Sequence, residues 1–121
     1  MANTFKVVTF AAEPASAGTA YKMYTVAGST TTVVLGLVLT NIHSSAVTAE
    51  VELVSDTGSR GGANNVANGT AFLVKDVSIP AGSSLELLSG GKVVMETTDY
   101  VNIDCSVADK LSGTLSIMEI T

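Results

Sequence analysis

Charge is scarce in this sequence. Lys, Arg, Asp and Glu make up 14% of the 121 residues, against roughly 25% in an ordinary globular domain. The basic residues Lys6, Lys22, Arg60, Lys75, Lys92 and Lys110 stand singly and form no stripe, which argues against nucleic acid as a partner. The acid excess gives a net charge of −5, too mild for a disordered acidic tail. A single cysteine, Cys105, excludes an internal disulfide and a cysteine-based zinc site. The single histidine, His43, sits in the loop-like run Asn41-Ile42-His43-Ser44-Ser45, with no motif around it that would make a nucleophile–base pair. There is no tryptophan, and the aromatics are three tyrosines and three phenylalanines. That makes a flat platform for stacking sugars unlike this chain. Long apolar runs are also missing. The longest, Val33–Leu39, falls well short of the ~18 residues that span a bilayer, so no membrane partner is expected. No apolar segment follows a basic start, and the chain is expected to be made and assembled in a cytoplasm.

What is present is apolar and finely divided. Hydrophobic residues make up 46% of the chain, and the mean hydropathy is +0.43. Spread over many short segments, they either fold around one core or leave surface for partners to bury. The length fits one domain.

Apolar residues recur with the period of strands. Residues 3–10 are β-branched and aromatic and read as a first strand or an extended arm. Residues 11–19, broken by Pro14 and Gly18, read as a linker. Tyr21–Ala27 is a strand. Thr31–Asn41 is the strongest strand, with Val33, Leu35, Leu37 and Leu39 on one face and Val34, Gly36, Val38 and Thr40 on the other. Two apolar faces suggest a central strand or one covered by a neighbouring subunit. Val47–Val54 alternates, with Val47, Ala49, Val51 and Leu53 inward and Glu50 and Glu52 outward. Residues 55–70, rich in Gly, Asn and Ser, form a long loop in which Arg60 could dock on a partner. Residues 71–79 and 84–88 are strands about a Pro80-Ala81-Gly82 corner, where Gly82 can take the positive φ of a type II turn. Short strands follow over 92–96, 100–107 and 114–120, with Val101, Ile103, Cys105 and Val107 inward.

About eight strands with close turns and no helix predict an all-β fold: an antiparallel β-sandwich, jelly-roll-like or immunoglobulin-like. The expected organisation is an N-terminal arm and linker over residues 1–20 and one β-sandwich domain over residues 21–121.

No reaction chemistry stands out. Glu50 with Glu52 are outward on a strand, where carboxylates are simply solvated. Asp99 lies in a turn, where its side chain can bond the backbone. Asp56 alone does not make a calcium loop. No catalytic residue, cofactor or metal site is expected.

Three stretches carry a family likeness: Val33-Val34-Leu35-Gly36-Leu37-Val38-Leu39-Thr40-Asn41-Ile42; Phe72 to Leu87 with its Ser78-Ile79-Pro80-Ala81-Gly82-Ser83 corner; and Asp99-Tyr100-Val101-Asn102-Ile103 running to Leu115-Ser116-Ile117-Met118-Glu119-Ile120. Together they resemble small all-β virion structural proteins of tailed bacteriophages, especially those of marine and cyanobacterial hosts. The resemblance implies a capsid decoration (cement) protein that binds the major capsid protein on the outer shell as a homotrimer. It equally admits a neck, tail, baseplate or fibre adaptor. A free host-surface binding module with its ligand loop at residues 55–70 is the rival from another class. The resemblance further implies that an N-terminal arm does the gripping, which would make Phe5, Val7 and Phe10 contact residues, with Arg60 a further candidate. On that basis, deleting residues 2–12 should abolish co-sedimentation with undecorated shells while leaving the circular dichroism spectrum of the fold unchanged.

Overall fold

The computed structural model of the chain describes residues 2–55, 69–88 and 91–121. The described residues form nine strands and no helix: β1 (Asn3–Glu13), β2 (Tyr21–Thr25), β3 (Thr31–Asn41), β4 (Val47–Ser55), β5 (Gly69–Ile79), β6 (Ser84–Leu87), β7 (Val93–Met95), β8 (Tyr100–Cys105) and β9 (Leu111–Ile120). They lie in two antiparallel sheets. The first has the order β1-β9-β3-β6, with the short β7 also beside β3; the second has the order β2-β8-β4-β5. With β7 set aside, the pairs nest from the outside inward: β1 with β9, β2 with β8, β3 with β6, β4 with β5. That is one long hairpin rolled across two sheets. Of the two sandwich types expected, it is the jelly roll.

The core is the seam between the sheets. Val47, Ala49 and Val51 of β4, Val101, Ile103 and Cys105 of β8, and Leu111, Leu115 and Ile117 of β9 are buried in the alternation that their sequences display. Cys105 is a buried thiol in this seam.

Strand β3 departs from simple alternation. Its pairing with β9 slips between Val34 and Gly36. A bulge of this kind inserts one residue and exchanges the faces beyond it. Thr32 and Val34 therefore point inward with Leu37 and Leu39, and all four are buried. Val33 points outward, which corrects the expectation that it shares a face with Leu37 and Leu39.

Residues 3–10, read as a first strand or an extended arm, belong to strand β1 of the first sheet. β1 pairs with β9 from Asn3↔Ile120 to Glu13↔Leu111. Phe10 is 8% exposed and belongs to the core, so it is unavailable as an arm anchor. Its ring lies over Gly113, where an added Cβ would fall 2.5 Å from Phe10 Cζ, and it meets Tyr21 edge-on at 5.4 Å between ring centroids. An aromatic ring covering a strand glycine restores the apolar contact that the missing side chain omits. Deleting residues 2–12 would strip β9 of one of its two neighbours and remove Phe10 from the core, which goes against the expectation that the fold survives that deletion.

The two sheets are tied together at the Pro80–Ser83 corner. Ser83 N–H donates to the Pro80 carbonyl at 3.0 Å, and Gly82 has φ +70°, the conformation a type II turn requires at this position. Asn41, at the end of β3 and fully buried, holds the corner in place. Its Nδ2 donates to the carbonyls of Ile79 and Ser45, both at 2.9 Å. Its Oδ1 accepts from His43 N–H at 2.7 Å. Its own backbone pairs with Ser83 and Gly82. One amide thus satisfies the ends of two crossovers, β3 to β4 and β5 to β6. Truncation in Asn41→Ala removes all three hydrogen bonds and leaves the buried Ile79 carbonyl without this donor, where an orphaned polar group costs about 1–3 kcal/mol. Urea unfolding should show a loss of about 2–4 kcal/mol. A loss under about 1 kcal/mol would mean that water or neighbouring groups replace the amide, and the clamp would have to be abandoned.

Candidate interaction surface

The outer face of the first sheet is set by register. Phe5 of β1 stands opposite Met118 of β9, Met118 opposite Val33 of β3, and Val33 opposite Val94 of β7. Directly opposed residues of antiparallel strands share a face with Cβ atoms about 5 Å apart. Four strands therefore contribute one apolar row. Its two ends are open to solvent, Phe5 at 72% and Val94 at 59% exposed. Val7, 62% exposed, lies on the same face one pair along, opposite Ser116, which in turn faces Gly36. Further along, the face becomes polar: Thr9, Thr114, Val38 and Glu86 form one row, and Thr40 and Ser84 share a hydroxyl hydrogen bond of 2.9 Å. The face is thus apolar at the β7 end and polar at the β6 end.

Charge is kept off the apolar end by a lock on the opposite side of the same strands. Lys6 and Glu119 point inward and form an ion pair of 2.6 Å. Tyr24, from the second sheet, donates its hydroxyl to Glu119 Oε2 at 2.6 Å and shares a 2.8 Å hydrogen bond with Thr32. The hydrogen bond from Lys6, then that from Tyr24, holds the Glu119 carboxyl below the ordinary carboxylate range. Burial, reinforced by the Glu119 acceptor, pushes the Tyr24 hydroxyl up to about 12. The lock closes one end of the seam between the sheets.

Of the residues that the sequence offers for contact, Phe5 and Val7 are on this face, Phe10 is in the core, and Arg60 lies outside the described residues, with the rest of segment 56–68. Val33, Met118 and Val94 complete the row and were not singled out. Their signal was partly present: β3 is apolar on both faces, and Met118 alternates with the inward Leu115 and Ile117. Which strands they oppose is a matter of pairing, which the sequence does not display.

The carboxylates take structural roles. Glu50 is paired with Lys75 at 3.2 Å. Asp99 is buried and accepts from Glu96 N–H at 3.0 Å, holding the turn before β8. Asp104 Oδ1 accepts from Cys105 N–H at 2.8 Å and Gly18 N–H at 3.2 Å. Glu50, Asp76 and Asp104 do border an open surface cleft of about 200 Å³. Among the described residues, however, no group of His, Cys, Asp and Glu side chains is placed to hold a metal ion.

No family model matches the chain, and no curated protein matches it. Among solved structures it is similar to a chain from Bacillus endospore appendages, described as a novel family of disulfide-linked pili. The identity is 18% and the TM-score 0.45, over 99% of this chain and 87% of that one. A likeness this distant carries no functional weight.

The lock makes stability depend on pH at both ends. Glu119 is more acidic folded than unfolded, so its contribution is present at neutral pH and is lost as the pH falls through its lowered value. Tyr24 is less acidic folded than unfolded, so its contribution is complete below pH 10.0 and is lost on the way to about 12. In urea titrations, the stability gap between the parent and Glu119→Gln should be widest near neutrality and shrink in acid. Tyr24→Phe should flatten the alkaline limb. A gap that stays constant across the acid range would show that Glu119 contributes shape alone.

Proposed function

We propose that this chain is a non-enzymatic structural subunit that seats the apolar end of its first sheet on a partner protein. The partner we infer is a phage shell, which makes the chain a capsid decoration (cement) protein on the outer surface of the major capsid protein. The observation that carries the reading is the row Phe5–Met118–Val33–Val94, two ends of which are more than half exposed. None of these exposed side chains is needed to fill the core. An exposed apolar row of this kind, beside a polar remainder of the same face, is what a protein–protein contact with a dry centre and a wet rim requires. The acidic balance fits an outer location, since such a subunit need not touch DNA. In this reading β1 grips through the face it shows in the sheet, with Phe5 and Val7 as its contacts, and no free arm is involved.

Burying one Phe side chain contributes about 1.5–3 kcal/mol, which is roughly a tenfold to hundredfold change in affinity. Phe5→Ser should therefore weaken co-sedimentation with undecorated shells by at least about tenfold, while the thermal unfolding midpoint stays near that of the parent. Unchanged shell binding in this variant would overturn the proposed contact. Failure of the parent protein to bind shells at all, with binding to isolated tails instead, would move it to a tail or fibre adaptor.

A further inference from the structure

We infer that β1 is a self-pairing edge: two copies of this chain join β1 to β1 in antiparallel fashion and continue the first sheet across a twofold axis. The inference concerns the backbone edge of the strand. It holds whether or not the outer face meets a shell.

A sheet edge offers a row of unpaired N–H and C=O groups, and folded proteins normally blunt it. The other edges of this chain are blunted. β2 has five residues and a register break between Lys22 and Tyr24. β6 has four residues and carries Glu86, and β7 has three. β5 is long, but its pairing with β4 breaks twice, Asp76 has φ +52°, and Lys75 and Asp76 put charge on it. Over Asn3–Thr9, β1 is neither short nor broken in register, and a single lysine is its only such device. It pairs with β9 without a slip from Asn3 to Phe10, and β9 is its sole sheet partner among the described residues. Its one charge before Glu13, Lys6, is neutralised inward by Glu119.

These features select a second copy as the occupant. Two chains of net charge −5 repel each other, and they approach with least cost where charge is absent or cancelled, as it is along this edge. The blunted edges leave β1 as the mate that another copy can offer, so the contact is isologous and closes as a dimer. A twofold axis perpendicular to the sheet keeps both outer faces on one side. Centred on Val7, the pairing sets Val7 against Val7 and Phe5 against Thr9 of the second copy. Centred on Lys6, it would oppose two lysines, which disfavours that register. The outer faces of the two copies then form one continuous face, on which the apolar row of each copy continues into the Thr9–Thr114 row of the other. A single strand–strand contact is smaller than the roughly 800 Å² per partner of a standard interface, so the dimer should be reversible and concentration-dependent. This departs from the trimer that the phage resemblance implies.

Sedimentation equilibrium of the purified chain up to roughly 1 mM, where an association of about 4 kcal/mol is visible, should show a monomer–dimer equilibrium. Hydrogen exchange should show backbone amides of residues 3–9 gaining protection as concentration rises. Val7→Lys places a charge at the centre of the edge on a side chain already exposed. It should shift the equilibrium to monomer with an unchanged circular dichroism spectrum. Thr9→Lys, exposed on the same face, serves if Val7→Lys disturbs the sheet. Val94→Ser, at the far side of the face, should leave the dimer intact. A monomer throughout the range, a trimer, or a dimer that persists in the lysine variants would each overturn the inference. So would a dimer lost in Val94→Ser with no added protection in β1, since that association would run through the face.

Discussion

The jelly roll of this chain depends on one buried amide. Every strand that leaves one sheet for the other must turn its backbone through the rim, where ladder hydrogen bonds end and water is partly excluded. At the β3 end of the sandwich two such crossovers meet, and Asn41 serves both. A side chain with two donors and an acceptor is the smallest group that can satisfy two carbonyls and an amide converging from three directions. An apolar residue of the same volume would fill the space and leave the Ile79 carbonyl unpaired. Because Asn41 also pairs through its backbone with Gly82 and Ser83, the corner that starts β6 is fixed relative to the end of β3. The β3–β6 register, Leu37↔Leu87 to Thr40↔Ser84, follows from it.

From that register the surface follows in turn. β3 is the spine of the first sheet, flanked by β9 on one side and by β6 and β7 on the other. Its bulge before Gly36 lets one strand serve two purposes. Beyond the bulge, Leu37 and Leu39 fill the core. Before it, Thr32 and Val34 do so, and Val33 is turned out to join Met118 and Val94. Without the extra residue, one half of β3 would present its large side chains to the wrong side. The outward row is therefore a consequence of how the core is packed. Lys6 and Glu119 complete the separation by carrying the charge of β1 and β9 to the inner side, where Tyr24 and Thr32 receive it.

Much of this was legible in the sequence, for definable reasons. Alternation in β4 and β8 declared both their conformation and their buried face, because each has one wet and one dry side. The Pro80–Gly82 turn and the buried state of Cys105 were equally readable. Four features were not. The faces of β3 were misassigned because a bulge alters parity without altering composition; Gly36 was the available signal, since a glycine within a strand often marks one. Residues 3–10 stayed open between a first strand and an extended arm because their sheet partner, β9, lies far away in sequence. Phe10 and Gly113 gave no hint of each other, as their contact exists only through the β1–β9 pairing. The apolar row was invisible for the same reason: it is composed of four residues that share nothing in sequence but their register.

The placement of Phe5, Val7 and Val94 bears on function because folding alone gives no reason for it. Polar residues at these positions would leave the core, the Asn41 clamp and the Lys6–Glu119–Tyr24 lock as they are. They would also reduce the hazard that an apolar face beside a lightly blunted edge poses to a chain with so little charge. Elsewhere the same chain manages that hazard with ordinary means: bulges and an ion pair on β5, short lengths in β6 and β7, and a lysine over a tyrosine ring at Lys22 and Tyr100. Protection that is lightest on β1, the strand that also begins the apolar row, is the distribution expected where that strand is covered in the assembled state. In the proposed reading, the surface of β1 is an interior surface whose other half belongs to another molecule.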